Sequence, residues 1–328
     1  MTSYILLERI KVEDANCIAG FTYGYPALTS FLGFTHAISR KINKQCGINF
    51  TGCAIFNHDH TLHINEQYDV RFIQSKRPPV TLQGQKYRQE ASKTPPIIEE
   101  GKMDLTVSLL LQCDDSISGQ DDIQKKVIQS IKQAVFTARL AGGSIQDLKK
   151  VLIFGENINI KKIKRTLLPS FVLLDATDEL KNHVTMSAES KTDKDLFDLW
   201  TDFFAFKEKA QRDLENETKA EWVRLAKPKP QGWFVPLMIG YKGISPLYDG
   251  TEIEHNRDPR YSFRFVESVH GIGEWRSTHR IQHLDDLIWK YHVEDEWYLC
   301  KQNTITDQQE SESTQTENSD DVFSFDFE

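Results

Sequence analysis

The chain has 328 residues, with 40 Lys and Arg against 48 Asp and Glu, a net charge of -8, 39% hydrophobic residues and a mean hydropathy of -0.49. That length can bury a substantial core as one large domain or two smaller ones. No apolar run approaches the ~20 residues of a membrane-spanning helix, and the start "MTSYILLERIKVED" carries charge where a signal peptide has its apolar stretch. A cytoplasmic protein with no membrane partner is expected.

From Asn303 to Glu328 there are eight carboxylates and no Lys or Arg, which leaves 40 positive and 40 negative side chains in the body. The folded part is therefore neutral overall, and its local patches decide what it binds. The five cysteines are scattered and form no C-x-x-C pair. Reduced structural thiols, no metal and no cofactor are the expectation.

In chain order, "SYILLERIKV" predicts a first strand, followed by a Gly24 to Pro26 turn and a helix to about Ile42 with Pro26 at its first position. "GCAIFNHDHTLHI" and "YDVRFIQS" read as a hairpin pair around a polar tip, Asn57 to His60. A proline-bearing excursion follows to Lys102, with too little apolar content for a core of its own. "MDLTVSLLLQC" alternates strictly and predicts a strand, and Asp121 to Ala141 carries one apolar helical stripe that stops at Gly142. A further strand falls at "KKVLIF" or "SFVLLD". This order approaches the split β-α-β arrangement of the ferredoxin-like fold, an α+β class.

The second half predicts a long helical region, Asp193 to Ala226, halted by "KPKP", and then strand-like pieces at "GWFVPLMIGY", "FRFVESV" and "EWYLCK". The organisation expected is one body over 1–302, with a basic thumb-like excursion near 74–102 and a helical insertion near 190–230. An acidic tail over 303–328 is expected to be disordered, with Phe323, Phe325 and Phe327 as docking residues.

Several groups of residues could carry chemistry. On the opening helix Gly33, His36 and Arg40 fall on one face beside the buried stripe, which suits either helix packing or an anionic or planar ligand. "ARLAGGSI" places Arg139 beside Gly142 and Gly143, a donor-rich loop on which a phosphate backbone could lie. The segment Arg71 to Lys102 holds seven bases against three acids, and Lys149 to Arg165 holds six against one. Two such concentrations in a balanced body point to phosphate contact. "LTVSLLLQC" has no aromatic residue, so the base-stacking sheet of an ordinary RNA-recognition motif is missing. His58 and His60 lack the further ligands that zinc requires.

"GYPALTSFLGFTHAI", "RLAGGSI", "GWFVPLMIGYKGIS" and "RDPRYSFRFVESVHGIGEW", in this order between Tyr4 and Cys300, resemble the second Csy subunit of type I-F CRISPR surveillance (Cascade) complexes, the Cas-five-like member of the RAMP superfamily. The resemblance implies a ferredoxin-like core with an inserted thumb. It also implies a structural, antiviral-defence subunit that holds the 5′ handle of the guide RNA and pairs with the large Csy subunit beside backbone Csy subunits. Target DNA near the protospacer-adjacent motif is a further candidate partner. Carried onto this chain, the handle contacts would be Tyr25, His36 and Arg40 of the opening block, Arg139, Gly142 and Gly143 of the glycine loop, and Arg264, Trp275 and Arg276 of the late block. Lys76, Arg77, Lys86 and Arg88 would lie on the thumb. The rival reading is a RAMP-type endoribonuclease with His36 as general base or acid and Tyr25 beside it.

Overall fold

The computed structural model describes residues 3–66, 70–76, 97–114, 117, 121–155, 159–190, 193–212 and 220–302. The first half runs β1 (Ser3–Asn16), α1 (Leu28–Cys46), β2 (Phe50–Leu62), β3 (Lys102–Cys113), α2 (Asp121–Phe136) and β4 (Gly143–Phe154). These four strands lie side by side as β4-β1-β3-β2, all antiparallel. A helix follows the first strand and another follows the third. Both helices cover one face: Phe31, Ile38 and Ile42 of α1 and Val127, Ile131 and Val135 of α2 pack on Ile5, Leu7, Ile55 and Leu109. Apolar residues at helical spacing on two helices and at every second strand position are what this layer requires.

The opposite face is buried as well. Leu6, Phe56 and Leu110 lie under Ile163 and Leu167 of α3 (Ile160–Leu167) and under Leu284, Leu287 and Ile288. Asn159 caps α3 by accepting from the Lys161 N–H. Sealing both faces explains why β3 is buried on each side of its alternation from Val107 to Cys113, polar residues included: Ser108 is fully buried and Gln112 nearly so.

The second half adds β5 (Phe171–Asp175), α4 (Thr177–Glu189), α5 (Leu196–Thr201), β6 (Phe234–Gly243), β7 (Val266–Ser277), β8 (Trp289–Glu294) and β9 (Trp297–Gln302). Its strands continue the sheet from β2 in the order β8-β9-β6-β7-β5. The last of these returns to β2, pairing Phe171 with Asn57 and Val172 with Phe56, while Trp289 of β8 pairs with Cys53. One edge of β2 thus serves β3 and the other serves both β8 and β5, and six strands close into a ring. The fully buried Trp289 donates its indole N–H to the Leu173 carbonyl inside it.

Four expectations need correction. Asp193 to Ala226 is not one helix: α5 ends at Thr201, and a ladder pairs Glu208–Arg212 with Ala220–Arg224. Asp202, nine-tenths buried, gathers Lys194, Lys207 and His183, and these ionic contacts hold the turn where a continuous helix would run on. Burial would raise the Asp202 pKa, but the hydrogen bonds from Lys194, Lys207 and His183 outweigh it and bring it down to about 2. Residues 57–60 are not a hairpin tip but lie inside the continuous strand β2, which bulges between Asn57 and Asp59. Pro26 precedes α1 by two residues, the helix beginning at Leu28 after an Ala27 cap position. Finally, the glycine pair does not stop a helix. α2 ends at Phe136, and Ala141 (φ 50°) and Gly142 (φ 77°) form the two-residue turn between Arg139–Leu140 and β4, the geometry of a type I′ hairpin.

The β2 bulge faces a second bulge on β1, where Arg9 sits at φ 51°. Ser108 of the intervening β3 serves both: its Oγ accepts from the Arg9 N–H at 2.8 Å and lies 2.7 Å from His58 Nε2. His58 Nδ1 contacts the Pro169 carbonyl at 2.9 Å. A carbonyl can only accept, so Nδ1 carries the proton and Nε2 accepts from the serine hydroxyl. Burial holds the His58 pKa below its ordinary value. Protonation therefore favours the unfolded chain, and stability present above pH 6.5 declines as the pH falls below that value and through the folded pKa. His270, lowered by burial in the same sense, adds to this. The melting temperature is expected to drop between pH 7 and pH 5.5, and to drop less in His58→Gln. A scan of both proteins across that range measures it.

Candidate nucleic-acid interface

The residues before α1 build the most chemically distinctive feature. After a short hairpin of Ile18–Ala19 and Thr22–Tyr23, the Gly24 N–H donates to the Cys17 carbonyl at 2.9 Å, and the chain turns at Gly24 with φ 128°. An L side chain resists that conformation. The turn sends the Tyr25 ring inward, stacked on Phe31 at 5.7 Å and edge-on to Trp275 at 4.8 Å. Two residues singled out in separate blocks of the sequence, Tyr25 and Trp275, thus meet.

They form one wall of a cavity of about 210 Å3, completed by β2 (Asn57, His60), β5 (Phe171, Leu173) and β6 with the preceding Trp233. Its floor is buried, while Trp233, Phe171 and Tyr23 at the rim stay 52%, 41% and 58% exposed. The lining is mostly apolar, yet two buried polar atoms have no hydrogen-bond partner among the described residues: Tyr25 Oη and Asn57 Oδ1. Burial raises the Tyr25 pKa, which keeps the hydroxyl protonated. Asn57 Nδ2 lies 3.2 Å from His60 Nδ1, a contact that turns the amide oxygen the other way.

The remaining expected contacts are dispersed. Gly33, His36 and Arg40 do share an exposed stripe of α1. A Cβ on Gly33 would stand 3.9 Å from Tyr291 Oη, an ordinary contact, so no described neighbour demands glycine there. Gly143 is explained by packing, since its Cβ would stand 2.6 Å from the Glu13 carbonyl. Arg139 donates to the Gly142 carbonyl at 3.1 Å, closing its own turn. Arg276 is exposed and paired with Glu274 at 2.5 Å. Arg264 lies over Gly243, with its Nε buried and without a partner among the described residues. Lys76 is in a strand, Arg71–Lys76, whose register sets it opposite Ile97 at the base of the excursion. Arg77, Lys86 and Arg88 lie outside the described residues, as does the tail from 303.

Sequence reading missed Asn57, His60, Phe171 and Trp233. The first two fall in the run that the sequence pattern places at a polar hairpin tip. A signal did exist in "NHDH", a polar run inside an otherwise apolar strand. A second basic surface is clearer in three dimensions: Lys161, Lys162 and Arg165 of α3 and Lys150 of β4 are exposed and carry no ion pair among the described residues. Lys149, beside them, is taken up by the buried Glu8 at 2.5 Å.

No helix among the described residues is long and apolar enough to cross a membrane. The body is an antiparallel α+β fold with an exposed cationic patch and an aromatic-lined cavity, and the comparison with known proteins gives its class. Residues 5–300 match the family model of the CRISPR-associated protein Cas_Csy2, and the chain belongs to that family, the Csy2 subunits of type I-F CRISPR systems. It is similar to CRISPR-associated protein Csy2 of Pseudomonas aeruginosa (strain UCBPP-PA14), being 30% identical over 322 residues that cover 92% of this chain and 94% of that protein.

Proposed function

We propose that the chain is a non-catalytic subunit that holds the 5′ handle of a guide RNA, pairs with the large Csy subunit and abuts a backbone subunit, with the body folded on a ferredoxin-like RAMP core. The order β4-β1-β3-β2 with a helix after the first and third strands supports that core. The excursion between β2 and β3, whose base is a ladder of Ile73–Lys76 with Ile97–Glu100, is the proposed thumb.

The observation that carries the RNA reading is the set of exposed cations free of ion pairs among the described residues, Lys150, Lys161, Lys162 and Arg165, on a body whose sheet faces are both closed. A closed sheet offers no stacking platform, so a single strand would be gripped by its phosphates and by side cavities. Geometry argues against the nuclease alternative. His36 is exposed, whereas the Tyr25 hydroxyl is buried and without a partner among the described residues, so the two form no acid-base couple.

Replacing Lys150, Lys161, Lys162 and Arg165 together by Gln is expected to weaken guide RNA binding tens of fold at about 0.1 M salt and to reduce the slope of log K against log salt by about 3. Filter binding across a salt series measures it. An unchanged slope would remove this surface from the reading, and cleavage of repeat RNA that His36→Ala abolishes would replace the scaffold by the nuclease.

A further inference from the structure

The acidic tail leaves the body beside the cations of α3. Gln302, the last described residue, is buried; its side chain donates to the Leu287 carbonyl at 2.8 Å and accepts from the Asp175 N–H at 2.8 Å. Leu287 packs in one cluster with Ile163 and Leu167, the buried side of α3. The exit of residues 303–328 and the inner side of α3 thus share one apolar cluster. On the outer side Lys161, Lys162 and Arg165 are exposed. Arg280, also exposed, borders them, since Lys164 of α3 donates to the carbonyl of its neighbour His279 at 3.1 Å. Lys150 adds to this surface from β4, where Leu152, two residues on, packs against the same cluster. Lys150, Lys161, Lys162, Arg165 and Arg280 have no ion pair among the described residues.

The 26 residues from Asn303 to Glu328 hold eight carboxylates and no Lys or Arg, and they lie outside the family match, which ends at residue 300. A coil of that length spans about 25–30 Å, so the cations are within reach. Its final stretch, "DDVFSFDFE", interleaves Asp320, Asp321, Asp326 and Glu328 with Phe323, Phe325 and Phe327. The carboxylates complement unpaired ammonium and guanidinium groups. The rings suit the same surface, because Lys and Arg offer aliphatic stems and cation-π contact. Leu168 also stands 40% exposed at the end of α3. A separate protein must find this surface by diffusion, whereas an attached segment is present at an effective concentration on the order of millimolar.

We infer that Asp320 to Glu328 dock on these cations of their own chain, where the carboxylates stand in for the phosphates of a nucleic acid. A guide RNA displaces the segment because its phosphates extend over more of the protein, while a non-cognate strand competes poorly. This consequence rests on the proposed function; the docking itself does not.

The test has two arms, both on the full chain. A carbodiimide, which joins a carboxylate to a lysine amine only where they touch, is applied without RNA and the products are mapped by mass spectrometry. Links from the tail to Lys150, Lys161 or Lys162 are expected in monomeric product at about 0.1 M salt and are expected to vanish near about 0.5 M. Absence of these links, links spread equally over lysines elsewhere, or links confined to dimeric product would overturn the inference. In the second arm the eight tail carboxylates are changed to their amides and binding of an oligouridine is measured. The variant is expected to bind about tenfold tighter than wild type at about 0.1 M salt, with a steeper salt slope, and equally at about 0.5 M. With Lys150, Lys161, Lys162 and Arg165 changed to Gln as well, that gain should disappear. A gain that persists there reports diffuse repulsion between tail and RNA and would overturn the docking, as would equal affinities at the lower salt. If oligouridine binds neither protein, the proposed function falls and the cross-links alone decide the docking.

Discussion

Trp289→Ala is expected to lower the free energy of unfolding by about 4 kcal/mol. The side chain is fully buried, so truncation leaves a large void. It also strips the Leu173 carbonyl of the indole N–H that reaches it at 3.0 Å, although Gln302 Nε2 still donates to that oxygen at 3.2 Å. The loss falls where β8 meets β2, since Trp289 pairs with Cys53. Domains have only about 5–15 kcal/mol to lose, so the variant is expected to accumulate poorly at 37 °C. A urea midpoint at 15 °C would give the value, and a change under 1 kcal/mol would mean that the ring is not held together at this point.

Gly240→Ala is expected to cost about as much, for a different reason. Gly240 lies at φ 150°, a conformation that L residues rarely adopt. A methyl there would stand 2.1 Å from the Tyr298 carbonyl oxygen. The register between β6 and β7 shifts at this point, Met238 pairing with His270 and Gly240 with Val269, so the glycine is the bulge that lets β6 bend. Backbone atoms on β9 cannot yield as a flexible side chain could. Alanine must therefore unpair β6 from β9 locally or force a strained backbone, a penalty of about 3–4 kcal/mol. Measuring Gly240→Ala beside Gly33→Ala makes the comparison internal. The second, whose Cβ would make only an ordinary contact with Tyr291 Oη in an exposed helical position, should be neutral or slightly stabilising.

What could be read from the residues alone follows a physical division. β1, α1, β3 and α2 were legible because their apolar positions recur at strand or helix spacing over ten residues or more, and these local periods survive in the fold. The Asp193 to Ala226 segment was misread because Leu196, Leu199, Trp200 and Phe203 do keep helical spacing; the stop comes from Asp202 and three cations brought together by tertiary structure. The polar run in β2 failed for a related reason. Its partners, Ser108 and Pro169, are 50 and 111 residues away from His58. At the candidate site two separate blocks named Tyr25 and Trp275, whose rings the fold brings together, while Asn57 joined them only once β5 had folded back on β2. Arg139, Gly142 and Gly143 had the composition of a phosphate loop, but the described contacts account for them as a tight hairpin turn.

The ring closure also bears on how the chain must be made. β2 leaves the ribosome early, yet its free edge waits for β5 and for β8, whose partner β9 holds the last described residues. A nascent chain that already has its four-stranded half still displays an unsatisfied strand edge, the kind of surface that recruits other chains. Translation that stops before residue 289 would yield an adhesive fragment instead of a smaller working one, so synthesis of this subunit is all or nothing.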